Sequence, residues 1–161
     1  MISNNRTFRV FIAALVLLLS FSLMGANTYN TDDHVHEHEL KAKLSGPAEV
    51  PGPGDSDGKG HANITLTMEG EEHLVCWNIH VKNIVLPAAA AHIHFGGVGV
   101  AGPVVVTLSA PDARGNARGC TTVTHELHMN LHMHPEQYYV NVHNSVFPGG
   151  AVRGQLFLAD N

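Results

Sequence analysis

Cysteine is scarce in this chain, with two in 161 residues, and so are aromatic side chains at 6% and basic ones at nine lysines plus arginines. Each shortage excludes something. Two cysteines outside a C-x-x-C pair make neither a zinc ribbon nor a redox dithiol. Nine scattered bases against fourteen acids give a formal net charge of -5, which leaves no electrostatic footprint for nucleic acid or an anionic membrane surface. Neither partner is expected. No Ser/His/Asp order and no pair of carboxylates can be placed as a hydrolytic site.

The apolar run Val10 to Met24, preceded by Arg6 and Arg9 and followed by Gly25-Ala26, has the n-region, h-region and small-residue exit of a secretory signal peptide over residues 1–26. An uncleaved N-terminal anchor is the alternative. Export places the chain in the periplasm or outside the cell, with no membrane segment left after signal removal. Cys76 and Cys120 then share an oxidising compartment and are expected to form one disulfide, two thiolate ligands for a soft metal being the rival reading. Residues 27–38 have little to bury and read as a flexible leader. Its His34, His36 and His38, with Asp32, Asp33, Glu37 and Glu39, are either solvated or a loose metal trap.

What the chain has in excess is histidine, thirteen residues in all. In an exported protein so many imidazoles make transition-metal contact the first idea to test. From Glu39 onward the pattern is that of strands. Leu40 to Leu44, His61 to Met68 and Leu74 to Val81 alternate, the last two joined by the turn Glu69-Gly70-Glu71-Glu72. In that hairpin Val75, Trp77, Ile79 and Val81 share one face, and Leu74, Cys76, Asn78 and His80 the other. Pro111 to Gly119 reads as a polar loop. Thr124 to His134 is a helix with Thr124 as cap and Pro135 as stop. His125, His128 and His132 fall on one flank of it, a polar face turned to solvent or the holder of an accessory ion. Tyr138 to His143 and Ala151 to Leu158 form a last hairpin turned at Phe147-Pro148-Gly149-Gly150. About seven or eight short strands and one small helix predict an all-β, antiparallel sandwich of immunoglobulin-like, Greek-key type, a single domain over residues 39–161.

The chemistry concentrates at Ala91-His92-Ile93-His94-Phe95-Gly96. Histidines two apart on a strand leave one face with roots about 7 Å apart, twice the strand rise, so both rings can reach one ion. His143, ending the later strand, would be a third ligand, and His61 or His80 a fourth, with His61 the better placed. The following Gly97-Val98-Gly99-Val100-Ala101-Gly102 matches G-x-G-x-x-G but runs into Pro103 and a β-branched stretch, where a dinucleotide site needs a helix. Those glycines instead let the backbone pass close to the histidine strand. An all-imidazole set suits copper, iron, zinc or nickel.

The segments Leu74-Val75-Cys76-Trp77-Asn78-Ile79, Ala91 to Gly96, Gly102-Pro103-Val104-Val105-Val106, Gly119-Cys120, Tyr138 to His143 and Phe147 to Leu156 together resemble the CHRD domain, a module named for chordin. The resemblance spans Glu39 to Ala159. It implies an immunoglobulin-like sandwich with the A-H-I-H and V-N-V-H histidines as metal ligands. A weaker likeness, in His92 to Gly96 and Gly115 to Cys120, is to copper/zinc superoxide dismutases, although the long zinc-binding loop of that family is missing and the Arg-Cys spacing differs. The two likenesses together imply one redox-capable ion, copper or iron before zinc, held by His92, His94 and His143, with Arg118 or Arg153 guiding a small anion such as superoxide. Arg153 lies in a hairpin and is equally suited to structural duty. A non-catalytic module for metal storage, adhesion or matrix contact is the alternative.

Overall fold

Period-two alternation shapes most of the molecule. In the computed structural model, which describes residues 37–159, the strands are β1 His38–Ser45, β2 Lys59–Glu69, β3 Glu72–Lys82, β4 Ala90–Phe95, β5 Val104–Leu108, β6 Asn116–Val123, β7 Tyr138–His143, β8 Val152–Gln155 and β9 Phe157–Leu158. One helix, α1 His125–Met133, lies between β6 and β7. The expected signal peptide, and the leader up to residue 36, lie outside the described residues. His38, placed in the leader by the sequence, belongs instead to β1, where it faces Leu66 of β2.

All strand pairs are antiparallel, and their order is β5-β4-β7-β8-β1-β2-β3-β6, with β9 on the side of β1. The chain is thus all-β with one short helix, as the alternation predicts. All nine strands belong to one sheet. The Trp77 indole N–H donates to Ser109 Oγ at 2.9 Å, and Ser109 Oγ donates to the Arg118 carbonyl at 3.1 Å. Those bonds draw the end beyond β5 towards β6 and nearly close the sheet.

The longest hairpin shows why these residues form these elements. β2 and β3 pair from Lys59 opposite Lys82 to Glu69 opposite Glu72, and Gly70 takes the turn with φ +61°, a conformation that only glycine adopts freely. Ala62, Ile64 and Leu66 from one strand and Val75, Ile79 and Val81 from the other are almost wholly buried, with Trp77 beside them. Leu40, Ile93, Val140, Val142 and Leu156 complete the same core. Burying one such side chain stabilises by roughly 1.5–3 kcal/mol, so six on one hairpin hold it in register.

Two expectations need correction. The expected loop Pro111 to Gly119 ends early, because Asn116, Ala117, Arg118 and Gly119 pair with His80, Ile79, Asn78 and Trp77, and Ala117 is buried. The expected strand Ala151 to Leu158 is broken at Leu156, whose N–H turns to the Tyr138 carbonyl. The chain then crosses to β1, where Phe157 faces Lys41 and Leu158 faces Leu40.

Cys76 and Cys120 lie opposite one another on β3 and β6 and form a disulfide across a separation of 44 residues. Closing a loop of that length removes unfolded-state entropy worth about 3 to 4 kcal/mol. Replacing both cysteines by alanine is expected to lower the stability by about that amount, read as an earlier urea midpoint with the native circular dichroism retained. An unchanged midpoint would show that the cross-link adds nothing to the strand pairing.

Candidate metal centre

Strand β4 sets the site. Ala91 and Ile93 point into the core and are fully buried, so His92 and His94 leave the opposite face. β7 runs beside it with His143 opposite Ala90 and Tyr139 opposite His94, which carries a third imidazole to the same place. On the other flank the register with β5 slips between Ile93, opposite Val106, and His94, opposite Val104. Such a bulge bends the strand and re-aims the side chain that follows it.

His92 Nδ1 lies 3.2 Å from His143 Nε2. One nitrogen from each of His92, His94 and His143 lies within 4.8 Å of the other two. Two backbone carbonyls fix which nitrogens are free. His94 Nδ1 is 2.8 Å from the Gly102 oxygen and His143 Nδ1 is 3.0 Å from the Pro148 oxygen. A carbonyl oxygen only accepts, so each Nδ1 carries the proton and each Nε2 presents a lone pair. His94 Nε2 is buried without a hydrogen-bond partner. Two nitrogens held by a tetrahedral ion at about 2.0–2.1 Å stand about 3.3 Å apart, close to the observed spacing of His92 and His143. The orphaned lone pair and this spacing fit a metal ion.

The electrostatics agree. Burial, followed by the neighbouring His143 and His94, holds the His92 imidazole below its ordinary value. Burial also lowers His143, opposed by its hydrogen bond to Pro148 and aided by His94. A neutral ring offers a lone pair without net loss of a proton, and His92, whose Nδ1 donates to the His143 Nε2 lone pair here, offers Nδ1 by taking its other tautomer. His94 is 9% exposed whereas His92 and His143 are half-buried, so protein closes one side of the group and the other faces outward.

Behind His94 stands a stack that the histidine pattern alone did not reveal. The Tyr139 ring lies parallel to it, 4.8 Å between centroids and 8° between planes. Arg153 Cζ sits 3.4 Å from the Tyr139 centroid on the ring face, an arrangement that attracts the cation to the π cloud. Tyr139 shares the outward side of β7 with Asn141 and His143, so the two-residue period was the signal for it. The tyrosine hydroxyl accepts from the Gly102 N–H at 3.2 Å. A Cβ at Gly102 would strike the Phe95 carbonyl, so only glycine brings this loop close enough for its carbonyl to reach His94.

The remaining candidates fall elsewhere. Arg153 is 2% exposed and its Nη2 donates to the Gly97 carbonyl at 2.9 Å. Arg118 is exposed on β6, where its Nε donates to Asn78 Oδ1 at 3.2 Å. His61 is exposed on β2 opposite His80, with their rings 5.6 Å apart, and it is not one of the three converging residues.

Arg153 has an acidic neighbour that sequence reading passed over. Glu49 is 5% exposed and its Oε1 has no partner. Burial pushes its carboxyl up to about 7, against the lowering pull of Arg153 and of the Val50 N–H. A folded value above the unfolded 4.5 means that the native state holds this proton more tightly. The contribution is therefore present at acid pH and lost as pH rises towards 7. Glu49→Gln is expected to match the unaltered protein in urea midpoint at pH 4.5 and to exceed it at pH 8. Equal midpoints at both values would refute the assignment.

The CHRD domain family model matches residues 40–156. No curated protein and no solved structure matches the chain. The matched span runs from β1 through β8 and includes all three converging histidines and both cysteines, whereas the likeness to copper/zinc superoxide dismutases is not shown. With most of its length matched in this way, the chain belongs to the CHRD domain family.

Proposed function

We propose that this CHRD domain holds one redox-capable transition-metal ion through His92 Nδ1, His94 Nε2 and His143 Nε2, and that it removes superoxide. The observation that carries the reading is the buried, unpartnered Nε2 of His94, in a group of three histidines that each bring one ring nitrogen within 4.8 Å of the others. An imidazole set suits copper and iron, both of which cycle between oxidation states, as well as redox-silent zinc. When bound, such an ion would supply a one-electron couple and an open coordination position, the requirements for turning two superoxide ions and two protons into dioxygen and hydrogen peroxide.

The chain's own residues supply position and access. Gly102 and Pro148 hold two of the rings in one tautomer through their carbonyls. Tyr139 backs His94, and Arg153 backs Tyr139 while tying down the Gly97 carbonyl. Arg153 is therefore a positioning residue in this reading. Arg118, exposed on β6, contributes to the long-range field that draws in an anion. Export to the periplasm or beyond is part of the proposal, supported by the Cys76–Cys120 disulfide. No helix among the described residues is long and apolar enough to cross a membrane.

The test is superoxide removal by the protein loaded with copper or with iron, beside His92→Ala and His143→Ala variants. Removal by at least one metal form is expected, with each variant slower by more than roughly tenfold, since even outer partners of metal ligands are worth that much. No activity with either metal, or the same activity in both variants, would leave a non-catalytic metal-storage, adhesion or matrix module.

A further inference from the structure

A second group of histidines gathers where α1 crosses the sheet, and it does not depend on the superoxide reading. The helix is capped by Thr124, whose side chain accepts the Leu127 N–H at 3.2 Å, and is anchored by the fully buried Leu131. That anchoring turns His128 inward while His125 stays exposed, so the expectation of a solvent-facing polar side is corrected at His128. His125 Nδ1 lies 3.0 Å from His73 Nε2 of β3. The ring of His128 lies 4.9 Å from that of His73 between centroids. One turn further along the helix, His132 stacks on His38 of β1 at 3.7 Å.

His128 is the informative member. It is 6% exposed, yet neither of its ring nitrogens has a hydrogen-bond partner. The Thr67 backbone is near enough to favour its proton, but the contact falls short of hydrogen-bond geometry. His73 Nδ1 and His132 Nδ1 are also buried without partners. Burial, then His73, His38 and His125, keep the His128 ring below its ordinary value, so it is held neutral. Buried polar atoms are almost always paired, and a cluster of imidazoles that leaves several nitrogens unpaired invites an explanation. A metal ion taken up by His128 would supply a partner for one of its two nitrogens.

We propose that His73, His125 and His128 form a second site for a divalent transition-metal ion of the zinc or copper class. Imidazole nitrogens are the natural ligands of such ions, and the separation between His73 and His125 is near the spacing that a tetrahedral ion imposes. This group is looser than the first. His125 is exposed and its ring meets that of His73 with 4.6 Å between centroids, so convergence on the ion is completed as it binds. His73 is on β3 and the other two are on α1, so an ion there would pin the helix to the sheet.

The test uses the chain with His92→Ala and His143→Ala to disable the first site, and with His34→Ala and His36→Ala so that the leader cannot contribute. Calorimetric titration with Zn2+ is expected to show one bound equivalent and a rise in Tm. Adding His73→Ala and His125→Ala is expected to weaken that binding by more than roughly tenfold and to abolish the Zn2+-dependent rise measured from each variant's own metal-free Tm. The same two replacements made in the chain with only His34 and His36 altered should lower the Zn2+ stoichiometry by one equivalent. This arm decides the matter if the multiple variant does not fold. Zn2+ binding that is absent from the first background, or that survives loss of His73 and His125 in either one, would overturn the proposal.

Discussion

Two hydrogen bonds, from His94 Nδ1 to the Gly102 carbonyl and from His143 Nδ1 to the Pro148 carbonyl, govern what the histidines of this domain can do. An imidazole is ambiguous until something claims one of its nitrogens. Here the backbone makes that claim twice, and from loops on either side of the same strand pair. What is left over, an Nε2 lone pair on each ring beside His92 Nδ1, is a group that could hold a metal ion. The glycines at 96 to 102 and the Phe147 to Gly150 turn thereby acquire a role in the site.

The sheet supplies the precision. β4 and β7 are pinned from below by Ile93, Val140 and Val142, all fully buried. From the outer side they are covered by Tyr139 and Arg153. Gln155 adds a further clamp, its side-chain amide donating to the carbonyls of Gly96, Glu136 and Tyr138 at 2.7–2.8 Å. A metal site needs its ligands held by packing as well as by chemistry, because a loose shell relaxes away from the productive geometry. The acidic end of this assembly, Glu49 beside Arg153, is a buried charge pair only in part, since burial keeps the carboxyl protonated well above its usual range.

Much of this was legible in the residue order, and the parts that were not have physical reasons. Alternation in Ala62-Ile64-Leu66 and Val75-Trp77-Ile79-Val81 reports which side faces the core, because a strand buried on one face must alternate. The His92/His94 pair was legible for the same reason, and the α1 boundaries because Thr124 and Pro135 act locally. The start of β6 was not, since Asn116 and Arg118 have little strand propensity and pair only because β3 presents Asn78 and His80 to them. His61 has strand neighbours much like those of His143 but lies opposite His80, a difference of sheet order that no local pattern encodes. The inward turn of the α1 histidines depends on His73 and His38, distant in the chain and brought near only by the fold.

The two histidine groups also differ in character. The first is drawn from two adjacent strands and stands partly open to the outside. The second bridges a helix and a strand, and an ion there, as proposed, would act as a fastening. Its central ring is nearly sealed within the protein.

The central claim is that three named nitrogens share one ion, and anomalous diffraction from crystals of the metal-loaded protein measures this directly. The account predicts an anomalous peak about 2.0–2.2 Å from each of His92 Nδ1, His94 Nε2 and His143 Nε2, with the Gly102 and Pro148 hydrogen bonds intact. A peak that omits any of the three, or rings turned so that their Nδ1 atoms leave those carbonyls, would contradict it.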